Sequence, residues 1–71
     1  MGEPLTVSEK RRLAERVRDA CVRAALAGYE RAAMDGLCHE GAWEAAIGAI
    51  RMLKLEGIVQ AHHDELFESK P

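Results

Sequence analysis

Ala20-Cys21-Val22-Arg23-Ala24-Ala25-Leu26-Ala27-Gly28-Tyr29-Glu30-Arg31-Ala32-Ala33-Met34 has the periodicity of a helix that is apolar on two opposite sides. At about 100° per residue, Leu13, Val17, Cys21 and Ala24 fall on one side of the rod that contains it. Val22, Leu26, Tyr29 and Ala33 fall almost diametrically opposite. A charged stripe of Arg12, Arg16, Asp19, Arg23 and Glu30 runs between them, and Ala14, Ala25 and Ala32 fill the remaining sector with side chains small enough for close approach of another helix. A helix with two apolar faces needs two neighbours. In a chain of 71 residues the second neighbour is expected to be another copy of the chain.

Working outward from this stretch, nothing between Pro4 and Pro71 forbids helix. Thr6-Val7-Ser8-Glu9 has the form of a capping box, in which the Thr6 hydroxyl accepts from the Glu9 amide and the Glu9 carboxylate accepts from the Thr6 amide. Helix one is expected over about 7–36. Arg11 with Glu15, Asp19 with Arg23 and Arg31 with Asp35 are opposite charges at i,i+4 spacing along it. A turn is expected within 36–41: either Gly36 is a left-handed C-cap with Leu37 folding back, or the chain turns at His39-Glu40-Gly41. Helix two is expected over about 42–56, with Trp43, Ala46, Ile50 and Leu53 as its main face and Trp43 as the largest plug of an Ala-rich core. Met52 and Leu55 lie off that arc. A break near Gly57 is favoured over one long arm, giving a short third helix over about 58–67.

The fold expectation is therefore a single small all-α domain over 1–71: a helical hairpin with a short third helix, two copies pairing as a four-helix-type bundle. The run Gly41-Ala42-Trp43-Glu44-Ala45-Ala46-Ile47, with Ile50 and Leu53, resembles the second helix of a tetratricopeptide repeat over about 13 residues. Ile58 stands where that repeat has its closing proline. The resemblance implies similar helix-pairing chemistry, and one such repeat does not bury its own face.

Composition leads the same way. Apolar residues make up 48% of the chain, but 12 of them are Ala, and Phe, Trp and Tyr occur once each. Ala forms helix well and contributes little area to bury, and chains this small rarely gain more than about 3–5 kcal/mol from one core. Lys and Arg number 10 against 12 Asp and Glu, so the net charge is −2. The first 36 residues hold seven cations against six anions, and the last 35 hold three against six. That is far from the cationic excess of a dedicated nucleic-acid binder. Two cysteines make no disulfide framework. With no signal-like apolar segment and no run approaching a membrane span, the expectation is a cytoplasmic chain with reduced thiols.

Three function classes follow. The leading one is a non-enzymatic, homodimeric interaction module, an accessory subunit or adaptor for a larger protein partner. Its expected interface is Val22, Leu26, Tyr29, Ala33, Met52 and Leu55. The second is a nucleic-acid-binding regulator using Arg11, Arg12, Arg16, Arg18 and Arg23. Glu9, Glu15 and Asp19 interleave with those cations, and no aromatic residue lies among them to stack on bases. The third is a metal or redox role for Cys38, His39, His62 and Glu65. Neighbouring Cys38 and His39 do not easily chelate one ion, and no CxxC or CxxH spacing helps them. His62 and Glu65 share a helix face at i,i+3, whereas His62 and His63 diverge by about 100°. No Ser-His-Asp set, glycine-rich phosphate loop or pair of catalytic carboxylates can be assembled, so neither enzyme nor cofactor is expected.

Overall fold

The computed structural model describes the backbone of residues 6–67 and the side chains of residues 6–64. Three helices follow one another: α1 (Val7–Met34), α2 (His39–Arg51) and α3 (Leu55–Phe67). The architecture is all-α, as expected, with no strand among the described residues.

α1 begins where its cap chemistry places it. The Thr6 amide donates to Glu9 Oε1 at 3.0 Å and the Glu9 amide donates to Thr6 Oγ1 at 3.1 Å. The Lys10 amide donates to the Thr6 carbonyl at 2.9 Å, the first bond of the helix ladder. At the other end Gly36 has φ of +92°. The Leu37 amide donates to the Ala32 carbonyl and the Gly36 amide to the Ala33 carbonyl, both at 3.0 Å, which together make a Schellman motif. Of the two turns weighed from the sequence, the glycine cap at Gly36 is therefore the one adopted. α2 then starts three residues earlier than expected. Cys38 is its N-cap and takes extended backbone angles, and Glu40 and Gly41 lie within the helix. Gly41 is accommodated against Leu37: a Cβ on it would lie 3.2 Å from Leu37 Cδ2.

The expected break at Gly57 is not where the chain turns. α2 ends at Arg51, Met52 is its C-cap, and Gly57 sits inside α3. Met52 donates to the Gly48 carbonyl at 3.0 Å and Leu53 to the Ile50 carbonyl at 3.1 Å, so the last turn of α2 tightens as it ends. Gly57 has no positive φ, and a Cβ there meets nothing within 4 Å. Gly57→Ala is therefore expected to stabilise the chain by about 0.5–1 kcal/mol through the entropy of the unfolded state. A rise of a few degrees in the thermal midpoint would show this. A fall would place Gly57 in the cap conformation anticipated from sequence.

The chain divides into two compact units. One, Asp19–Leu53, holds the C-terminal half of α1 with α2; the other holds the segment up to Arg18 with that from Lys54 onward. In the first unit α2 runs back along α1, and the closest approach is made by Gly and Ala. Ala32, Ala42 and Ala46 are its buried residues, and Ala25, Ala45 and Ala49 are half-buried. Gly28 sits at the closest approach. A Cβ on it would lie 3.0 Å from Ala49 Cβ and 3.1 Å from the Ala45 carbonyl oxygen. The sector of small residues foreseen on helix one is thus the true pairing face. This also corrects the expectation for Trp43, which is 57% exposed rather than a core plug. Helices that approach to the distance of a glycine contact leave no room between them for an indole. In the second unit Leu13 and Val17 on α1 and Ile58 on α3 are half-buried, and His62 is buried.

Candidate interaction face

The pairing of α1 with α2 fixes where the remaining apolar side chains of that unit lie. If Gly28 and Ala32 mark the direction of α1 toward α2, Val22, Tyr29 and Ala33 lie roughly a quarter to a third of a turn further round, and Leu26 somewhat beyond them. Trp43 and Ile50 lie about a quarter turn from the Ala42–Ala46 direction on α2, with Ile47 a little further. Because the two helices run in opposite senses, these rotations bring both sets to the same side of the pair. One contact marks that side: the Tyr29 hydroxyl and His39 Nδ1 share a hydrogen bond of 2.8 Å, the rings meeting edge-on at 5.8 Å between centroids.

On this side Val22 is 51% exposed, Leu26 59% and Trp43 57%, and Ala33 is exposed as well. Of the residues expected at an interface, Val22, Leu26 and Ala33 thus form an open apolar stripe. Tyr29, on the same side, is half-buried, and its hydroxyl is engaged by His39. Met52 is 75% exposed at the end of α2, and Leu55 is exposed at the start of α3, which belongs to the other unit. Trp43 and Ile47 join the face although sequence reasoning assigned Trp43 to the core. The signal that could have revealed this is the run of alanines at 42, 45, 46 and 49, a complete helix-pairing stripe without the indole.

The other candidates stay apart. Cys38 and His39 are exposed neighbours at the start of α2, with His39 turned to Tyr29. His62 is 2% exposed, and neither Nδ1 nor Nε2 has a hydrogen-bond partner among the described residues. His63 is exposed, with Nδ1 3.7 Å from Asp64 Oδ1, and Gln60 Nε2 donates to the same oxygen at 2.9 Å. The Glu65 side chain lies outside the described residues. Among those described, no group of three or more His, Cys, Asp or Glu is placed to hold a metal ion.

The arginines of α1 occupy two directions. Arg12, Arg16 and Arg23 share a stripe with Asp19 and Glu30, while Arg11 and Arg18 lie more than about 100° round the helix from it. Arg16 is half-buried and the other four are exposed. The expected pairs Arg11–Glu15, Asp19–Arg23 and Arg31–Asp35 do not close into ion pairs in the structure. Interleaved anions remain on the same surface, and no single cationic face results.

No helix among the described residues is long and apolar enough to cross a membrane. No protein family, curated protein or solved structure matches the chain.

Proposed function

We propose that this chain is a non-enzymatic helical interaction module that self-associates as a homodimer, serving as an accessory subunit or adaptor for a larger protein. One observation carries the reading. In the Asp19–Leu53 unit the buried residues are alanines, while Val22, Leu26 and Trp43 stand in solvent on one side. A buried methyl-sized group contributes about 0.8 kcal/mol, and a Leu or Val side chain roughly 1.5–3 kcal/mol. About half or more of the surface of Val22, Leu26 and Trp43 is therefore still available to a second chain. Contiguous exposed apolar patches are a feature of association sites. Cys21 and Cys38 are free thiols, which supports a reducing cytoplasmic setting.

Sedimentation across micromolar concentrations is expected to show a dimer. Trp43→Glu should weaken it at least about a hundredfold, because an unpaired carboxylate on the face costs several kcal/mol on burial and each 1.4 kcal/mol is tenfold in affinity. Far-UV circular dichroism should remain helical, since Trp43 is exposed within the protomer. A wild-type chain that stays monomeric throughout that range overturns the reading.

A further inference from the structure

We propose that the outward edge of α2 is the surface on which a second copy of this chain docks, its own α2 running antiparallel. The inference rests on the self-association reading and names the element that makes the contact. Trp43, Glu44, Ile47, Gly48 and Arg51 line an open concavity of about 420 Å³ along this edge. Trp43, Ile47 and Arg51 follow at i,i+4,i+8 and form one side; Glu44 and Gly48 form the other. A Cβ on Gly48 would meet nothing within 4 Å, so backbone is open to approach there. Glu44 and Arg51 sit toward opposite ends of the concavity, and neither has an ion-pair partner among the described residues.

Charge selects the occupant. The edge is acidic toward its N-terminal end, at Glu40 and Glu44, and basic at its C-terminal end, at Arg51. A second copy laid parallel sets like charge on like. An antiparallel copy, related by a two-fold axis beside Ile47, sets each Arg51 against Glu44 and the Trp43 ring of the other chain. Each Arg51 then gains an ion pair and a cation–π contact. Ile47 meets its own equivalent at the axis, and Gly48 lets the two backbones close together. The surface is self-complementary, as an isologous contact requires.

The test uses two full-length variants, Glu44→Arg and Arg51→Glu, carrying different tags. Each alone is expected to self-associate at least about tenfold more weakly than wild type, since both copies then oppose like charges. Mixed together they should form a heterodimer near wild-type affinity, because position 44 of each chain again faces the opposite charge at position 51 of the other. Trp43 is the sole tryptophan, so its emission should shift to the blue on mixing and not in either variant alone. Circular dichroism of each variant checks that the helices persist. Variants that dimerise as well as wild type, or that weaken but fail to pair on mixing, overturn this assignment while leaving self-association standing. A monomeric wild type removes both.

Discussion

Gly28→Leu should destabilise the chain by about 2–3 kcal/mol even though leucine is a far better helix former than glycine. The gain in helix propensity is about 0.8–1 kcal/mol. Against it stands the geometry of the α1–α2 contact, where a single added Cβ would already lie 3.0 Å from Ala49 Cβ and 3.1 Å from the Ala45 carbonyl oxygen. Neither obstacle is the free end of a flexible side chain. One is a methyl fixed to its backbone and the other is backbone itself, so the helices must separate to admit the remaining three carbons. Overpacking of this kind costs about 1–3 kcal/mol in ordinary cores, occasionally more. Here separation also uncovers Ala32, Ala42 and Ala46, the buried apolar residues among those described. At about 4–8 °C per kcal/mol for a domain of this size, the thermal midpoint should fall by roughly 10–20 °C at matched protein concentration. Gly28→Ala is the informative control. Its contact strain and its propensity gain are of similar size, so it should lie within about 1 kcal/mol of wild type. A Leu variant as stable as wild type would mean that α1 and α2 do not meet at Gly28.

The contrast between Gly28 and Gly57 shows what was legible in the sequence and what was not. Features written in local chemistry could be read directly. The Thr6–Glu9 cap depends on two side chains three residues apart, whereas the turn at Gly36 was one of two the sequence offered and was decided by its positive φ. The all-helical class followed from periodicity and from prolines confined to positions 4 and 71. The end of α2 was not legible, because Arg51-Met52-Leu53-Lys54 contains no glycine, proline or strong capping residue. Gly57 offered a false stop instead, although an open helical position tolerates glycine at modest cost. Trp43 was misplaced for a related reason. Ranking core candidates by size favours the indole, yet the separation of α1 and α2 is set by Gly28 and its alanine neighbours, and at that distance large side chains are displaced outward. The exposure of Val22 and Leu26 was readable because it follows from angular position on one long helix. The Tyr29–His39 bond was not, since it joins residues on two helices whose register only the folded chain reveals.

His62→Leu should raise stability, by about 1–2 kcal/mol or roughly 5–15 °C in the thermal midpoint. The sequence placed His62 on a third helix beside Ile58, Val59 and Leu66 without saying how deep it lies. In the structure the ring is 2% exposed, and both nitrogens lack a partner among the described residues. Desolvating a polar atom without replacing its hydrogen bond with water costs about 1–3 kcal/mol, and an imidazole buried this way forfeits both of its bonds. Leucine at the same position has a side chain of comparable bulk, keeps most of the dispersion contacts and has nothing to desolvate. It also has higher helix propensity. The direction of the change is therefore set by hydrogen bonding rather than by packing. His62→Ala separates the two contributions: it removes the polar atoms but opens a cavity, and should fall below the Leu variant by the cost of that cavity, about 2 kcal/mol or more. Should His62→Leu instead lower the midpoint while far-UV circular dichroism stays helical, a ring nitrogen must be bonded in solution. The stabilising role of His62 would then lie in that bond.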